Sequence, residues 1–242
     1  MGSSVDSDIA QFRAARSRVL DVVAEACRRA SRDPGDVTLV AVSKTVDPSR
    51  LNAAVAAGLT LFGENRVQEA ESKAPLVPGA GWHLIGPLQS NKARRAVELF
   101  EVVESVDSID LARRLDRLAG DAGRAPLDVY FQVNVDLDGA KAGFLPETLE
   151  AELPALAALR NLRPLGLMTV GRLVDTAAEA RATFVRLREL SARLRESASG
   201  LGAGLSMGMS DDYGVAVEEG ATMIRVGRAL FGTRSGRPAG AM

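Results

Sequence analysis

The chain is poor in lysine, cysteine and histidine. Of its 30 basic residues only four are lysines, Lys44, Lys73, Lys92 and Lys141; the rest are arginine. The single cysteine, Cys27, gives no intrachain disulfide and no cysteine cluster for zinc. It lies in a helical stretch and reads as a small filler. The single histidine, His83, sits in an apolar run and reads as a satisfied core residue rather than a catalyst. No apolar run reaches the roughly 18 residues of a membrane span. The polar start Met1–Ser7 lacks the basic and apolar regions of a secretory signal. It matches a myristoylation start only in part, because Asp6 stands where Ser or Thr is wanted. A net charge of −1 argues against a general nucleic-acid binder, and no G-x-G-x-x-G follows the first apolar run. A soluble cytoplasmic protein is expected, with no nucleic-acid or membrane partner.

What is present is alternation. Residues 8–31 carry Ile9, Phe12, Val19, Val22, Val23 and Ala26 at helical spacing, and Asp33-Pro-Gly35 stops them. Eight apolar strand candidates follow: Val37–Ser43, Leu59–Gly63, Trp82–Gly86, Val102–Val106, Leu127–Val135, Pro164–Met168, Gly204–Met209 and Met223–Gly227. Helical patterns lie between them, near 48–57, 65–72, 90–99, 108–122, 146–160, 175–197 and 211–219. Regular β-α alternation implies a parallel sheet, and eight units imply a single closed (β/α)8 TIM barrel with an extra N-terminal helix. An open doubly wound sheet is the rival. The barrel is expected over residues 8–233, with a flexible start at 1–7 and a loose tail at 234–242.

In a barrel of this kind the chemistry collects where the strands end. Lys44 ends the first strand. An arginine there can neither lose its proton at neutral pH nor form a Schiff base, whereas a partly desolvated lysine does both. Leu205-Ser-Met-Gly-Met-Ser-Asp-Asp212 ends the seventh strand and opens a helix. The hydroxyls of Ser206 and Ser210 and the helix N-terminus suit an anion. Ser210 or Asp211 equally suits an N-cap of its own helix. Met223-Ile-Arg-Val-Gly-Arg228 ends the eighth strand, where Gly227 allows close backbone approach, and the loops after strands seven and eight are the usual phosphate site. Arg225 lies two residues before that turn, facing either the barrel mouth or the helix layer. An amine on strand one and a phosphate cradle after strands seven and eight are the two ends of one ligand, pyridoxal 5′-phosphate. Arg225 would then face the pyridine nitrogen and leave it unprotonated.

Several blocks in order carry a resemblance: Ala41-Val-Ser-Lys-Thr45, Phe62-Gly-Glu-Asn-Arg-Val-Gln-Glu69, Trp82 to Lys92, Gln132-Val-Asn-Val135, Gly166-Leu-Met168, Leu205 to Ser210, Arg225-Val-Gly227 and Phe231-Gly232. In these the chain resembles the YggS/PROSC family of pyridoxal-phosphate homeostasis proteins along nearly its whole length. The resemblance implies a fold-type III barrel like the N-terminal domain of alanine racemase, with Lys44 as the imine lysine and Asn65 beside the cofactor. It also implies Ser210 and the Gly227-Arg228 backbone on the phosphate and Arg225 at the pyridine nitrogen. The expected cofactor set is therefore Lys44, Asn65, Ser206, Met207, Ser210, Arg225, Gly227 and Arg228, with no catalytic residue and no metal. Arg228 stands where the family often has Thr, so one hydroxyl donor is lost.

Lesser features read blandly. Asp136-Leu-Asp138-Gly139 is a turn rather than a calcium loop. The arginines at 181, 186, 188, 193 and 195 read as a solvated helix face. Tyr130 reads as core. Tyr213 is placed to lean toward the ligand, and Lys141 and Gly143 to edge the site. Gln89 to Lys92 either cap a helix or line the mouth. The expected function is a protein that holds pyridoxal phosphate as a lysine imine and supplies it to apo-enzymes, as a monomer without substrate turnover. The alternatives are an amino-acid racemase on the same barrel and a phosphate-binding barrel enzyme without this cofactor. A racemase needs a base on each face of the cofactor, and with Lys44 on one face no tyrosine or histidine is evident for the other.

Overall fold

Eight short runs dominated by aliphatic residues form strands, and each pairs in parallel with the next. The structure, a computed structural model, describes residues 2–124, 126–171, 174, 176–197 and 200–232, with the side chains of residues 2–4 excepted. The strands are β1 (Thr38–Val42), β2 (Leu61–Glu64), β3 (Gly81–Leu84), β4 (Val102–Val106), β5 (Leu127–Gln132), β6 (Leu162–Met168), β7 (Gly204–Ser206) and β8 (Met223–Val226). They close in chain order, β8 returning to β1 with Val40 opposite Arg225 and Ala41 opposite Val226. The expected barrel is thus observed, and each expected strand is present. Strand β5 stops short of its expected end where Asn134 N–H turns to Phe144 O of the following loop, and β7 stops before Gly208, whose φ of +93° leaves the strand path although its O still accepts from Arg225 N–H of β8. Gly166 is required where β6 pairs in parallel with β7, opposite Gly204. Its φ is +154°, and a Cβ there would lie 1.9 Å from Gly204 O.

The helices are α1 (Gly2–Arg29), α2 (Pro48–Ala56), α3 (Val67–Lys73), α4 (Ala93–Leu99), α5 (Ile109–Asp121), α6 (Pro146–Ala157), α7 (Ala177–Ser197), α8 (Tyr213–Glu218) and α9 (Arg228–Phe231). Local chemistry explains their starts. Asp47 caps α2 by accepting from Ser49 N–H, with Pro48 in the first turn. Ser108 caps α5, whose Leu111, Ala112, Leu115, Leu118 and Ala119 recur on one buried face. Residues 2–7, expected as a loose start, continue α1 instead; no glycine or proline after Gly2 interrupts the helical run. The expected tail at 234–242, with residue 233, lies outside the described residues.

Helix α9 is a single turn, too short to cover the seam between β8 and β1. Helix α1 packs against α2, α8 and α9 and takes that place. Phe12, fully buried, meets Phe231 edge to face at 5.5 Å, and the Arg50 guanidinium lies 5.1 Å over its ring. Arg32 donates to the carbonyls of Val217 and Ala221 at the end of α8. Cys27 is buried in this layer, as its filler reading requires.

Two apolar clusters result. The larger fills the space between sheet and helices. The smaller joins Val40, Val102, Tyr130, Met168 and Met223 from β1, β4, β5, β6 and β8. Side chains from such distant strands meet only inside the barrel, so this cluster plugs the lumen. The arginines of α7 are not merely solvated: Arg181 pairs with Glu218 and Glu219, Arg188 with Glu219, Arg186 with Asp136 and Arg193 with Glu150. The acceptors at the end of α8 and in the loop after β5 lie within reach of the long α7 side chains, which the sequence pattern of one helix does not reveal. Replacing Phe12 with alanine should cost about 3–5 kcal/mol in urea unfolding, the range for a large buried aromatic. A loss below about 1 kcal/mol would mean that α1 is an appendage and not the eighth wall.

Candidate binding site at the carboxyl end of the barrel

Above the apolar plug lies a polar layer. Glu104, at the middle of β4, is fully buried in the lumen. One oxygen meets His83 Nδ1 of β3 at 2.7 Å, and the other accepts from Ser206 Oγ of β7 at 2.5 Å. Arg225 of β8 donates through Nη1 to Ser206 Oγ and through Nη2 to Thr169 O, the latter at 2.6 Å. Its guanidinium lies 3.9 Å from the Glu104 carboxylate. Burial alone would raise the Glu104 carboxyl; its hydrogen bond and attraction to His83, with help from Arg225 and Ser206, win and hold it below its ordinary value. For Arg225 burial lowers the pKa, and Glu104 opposes that shift. Arg225 therefore points into the lumen, the first of its two expected directions. His83 is a satisfied buried residue, bonded to Glu104.

The rim above this layer is built on the seam between β8 and β1. Lys44 follows β1, is partly exposed, and makes no hydrogen bond or ion pair with any described residue. On the other side of the seam Gly227 follows β8, so close to β1 that a Cβ would lie 3.3 Å from Val42 O. Ser210 Oγ accepts from Gly227 N–H at 3.3 Å and Ala229 N–H at 3.4 Å. It caps α9 and not the helix of its own loop, α8, whose cap position is Asp212. These bonds are long, so the two amides are only weakly satisfied. Asn65, after β2, is partly exposed, and its side chain has no hydrogen-bond partner among the described residues. Its backbone packs on Gly86, where a Cβ would lie 2.4 Å from Asn65 O. An amine, a primary amide and two weakly held backbone N–H groups thus share one rim.

The expected set divides accordingly. Lys44, Asn65, Ser210 and Gly227 stand on the rim, and Arg225 stands beneath it. Ser206, expected as an anion donor, spends its proton on Glu104 and supports Arg225. The Met207 side chain is fully buried in the outer core, since strand alternation turns it away from the lumen. The Arg228 guanidinium pairs with Asp211, which removes both charges from direct contact with an anion. Tyr213 packs in the outer core, and burial pushes its pKa up. Lys141 donates to the carbonyls of Val170 and Gly171, tying two rim loops together. Asn134 closes its own loop through Asp138 and Lys141, and Asp138 accepts from Ala140 N–H as a turn residue does. No cluster of metal-binding side chains occurs among the described residues. Glu104 was missed by sequence reasoning. Its signal was present: a lone acid within Val102-Val-Glu-Ser-Val106.

The closed eight-stranded parallel barrel belongs to the alanine racemase N-terminal class, because the family described as "Alanine racemase, N-terminal domain" matches residues 20–235. Within that class the chain belongs to the pyridoxal phosphate homeostasis protein family. It is 46% identical over 226 residues to the "Pyridoxal phosphate homeostasis protein" of Pseudomonas aeruginosa, covering 92% of this chain and 96% of that protein. The protein of the same name from Escherichia coli K12 is 37% identical, with 90% and 94% covered. The solved structure of PipY from Synechococcus elongatus PCC7942, "with PLP bound", is 49% identical with a TM-score of 0.77, covering 87% of this chain and all of that one. An alanine racemase of Clostridium difficile, 14% identical with a TM-score of 0.71, covers 94% of this chain and 58% of its own and shares the fold.

Because the folded-state pKa of Glu104 is depressed, the stability it contributes is complete above the unfolded carboxylate range and is lost as pH falls through its folded value. Glu104→Gln should cost about 3 kcal/mol at pH 7, the scale for breaking a buried pair from one side. It should also flatten the acid limb of the stability profile. Urea titrations of both proteins from pH 7 downward check this, and parallel profiles would remove Glu104 from the charge balance.

Proposed function

We propose that this protein binds pyridoxal 5′-phosphate at the β8–β1 seam and serves in keeping and supplying that cofactor within the cell, without turning over a substrate. The observation that carries the reading is the Lys44 amine, without a partner among the described residues, at the end of β1 and across the β8–β1 seam from the weakly satisfied amides of Gly227 and Ala229. The donor set fits the cofactor: a primary amine for an aldehyde, backbone N–H groups for a phosphate, and a buried cation beneath them. When bound, pyridoxal phosphate supplies an aldehyde that condenses with a lysine amine. Lys44 holds that end. Ser210 and the backbone of Gly227 and Arg228 hold the phosphate, where an anion would replace the long bonds to Ser210. Asn65 would stand beside the ring. Ser206, Thr169 and Glu104 hold Arg225 as a cation toward the ring nitrogen, which keeps that nitrogen from gaining a proton and weakens the ring as an electron sink.

The racemase alternative requires a second acid-base group opposite Lys44. The only histidine is buried against Glu104. Of the two tyrosines, Tyr213 is in the outer core, and Tyr130 is in the lumen plug with its pKa pushed up to about 12 by burial and Glu104. These locations support a binding role over a catalytic one. The relatives named for homeostasis support the same reading. The proposal extends to a monomer acting in the cytoplasm that passes its cofactor to apo-enzymes. Among the described residues no helix is long and apolar enough to cross a membrane.

The test is an absorbance spectrum with added pyridoxal phosphate, followed by borohydride and peptide mapping. A band near ~420 nm trapped on Lys44 is expected. Lys44→Ala should lose the band and keep the fold. Arg225→Ala should weaken binding or move the band's pH midpoint. A yellow Lys44→Ala protein would displace Lys44 from its role, and an unchanged Arg225→Ala spectrum would remove Arg225 from the ring.

A further inference from the structure

Behind the rim, between β2 and α3, lies a second charged cluster that the binding set does not include. Glu64 is the last residue of β2 and points outward, fully buried. Its Oε1 accepts from Lys73 Nζ at 2.7 Å and from Ser43 Oγ at 2.8 Å. Lys73 Nζ also donates to Ser43 O at 2.9 Å, and it lies 3.6 Å from Glu69 one turn back on α3. Glu69 Oε2 in turn accepts from Thr45 N–H at 3.3 Å. Ser43 and Thr45 flank Lys44. Lys73 thus holds the carbonyl of the peptide bond entering Lys44, and Glu69 holds the N–H of the peptide bond leaving it.

Two details argue that this arrangement is kept for position. Among the described residues the second Glu64 oxygen is buried without a hydrogen-bond partner. A buried ion pair left incompletely bonded gives little stability compared with an apolar pair of the same volume. Thr45 has φ of +66°, in the left-handed region that a β-branched residue rarely adopts. Such a conformation persists only where its surroundings hold it, and the Glu69 bond to its N–H is part of that hold.

We infer that Glu64, Glu69 and Lys73 form a clamp on both peptide bonds of Lys44, and act as positioning residues that present its amine at the seam. The inference rests on the cofactor reading of Lys44 and deepens it. None of the three belongs to the proposed binding set. They act through Ser43 and Thr45, fixing where the Lys44 side chain starts and so the direction from which its amine meets an aldehyde. The scarcity of lysine gives the pattern weight: one of four lysines is spent on holding another.

The experiment uses Glu69→Ala, Glu69→Gln and the charge-free pair Glu64→Gln with Lys73→Met, each checked for an intact thermal transition. Two readouts are taken. The first is hydrogen exchange at the Thr45 amide without cofactor. The second is the dissociation constant for pyridoxal phosphate, with borohydride mapping of the adduct on Lys44. Glu69→Ala should speed Thr45 exchange and weaken binding by about tenfold or more, the scale for misplacing a reacting group by a fraction of an ångström. Glu69→Gln, which keeps an acceptor oxygen, should restore most of both. The double variant should weaken binding similarly. Wild-type exchange and wild-type binding in Glu69→Ala and the double variant would overturn the clamp. A wild-type protein that forms no adduct would overturn the cofactor reading instead, and Thr45 exchange with amine labelling of Lys44 would still decide the clamp.

Discussion

The site depends on one buried carboxylate. Glu104 and Arg225 lie 3.9 Å apart in the lumen, an attraction of about 4 kcal/mol at an effective dielectric near 20. That is less than the several kcal/mol that desolvation costs each ion, so the pair alone would not hold. Hydrogen bonds from His83 and Ser206 to Glu104, and from Arg225 to Thr169 O, close the difference by occupying the remaining donors and acceptors. The result ties β3, β4, β7 and β8 together across the barrel and fixes a cation below the rim.

The rest of the molecule keeps that layer buried, with its side chains almost wholly removed from solvent. The plug of Val40, Val102, Tyr130, Met168 and Met223 seals the lumen beneath it. Above it the rim groups Lys44 and Asn65 are partly exposed, and neither side chain has a hydrogen-bond partner among the described residues. The two charged clusters divide the work. The lumen cluster sets the electrostatics under the site. The cluster of Glu64, Glu69 and Lys73 lies on the opposite face of the sheet and grips the backbone that carries Lys44.

The barrel was legible in the sequence because eight aliphatic runs separated by helical spacing admit few other closures. The place of Lys44 on the rim was legible because it follows an aliphatic strand run. Period-two alternation could have separated Ser206 and Arg225, which enter the lumen, from Met207, which does not; reading the Leu205–Ser210 block as one unit hid that distinction. Contacts made across the fold were not legible. Nothing local tells that Ser210 caps the helix after β8, that Arg228 turns to Asp211, or that Glu104 answers Arg225 from 121 positions away along the chain. The start of α1 was missed because its first residues are polar and carry no periodic stripe.

The seam where β8 meets β1 is also where the earliest strand meets the latest. A molecule held, as proposed, by Lys44 on one side and by the Gly227 turn on the other would act as a latch between them. Occupancy of that site would then favour the closed circle of strands over any opened form, and the retained ligand would report on closure itself. A chain whose last strand has not yet docked carries the amine but no cradle, so the capacity to hold both ends of a ligand arrives only when the ring is complete.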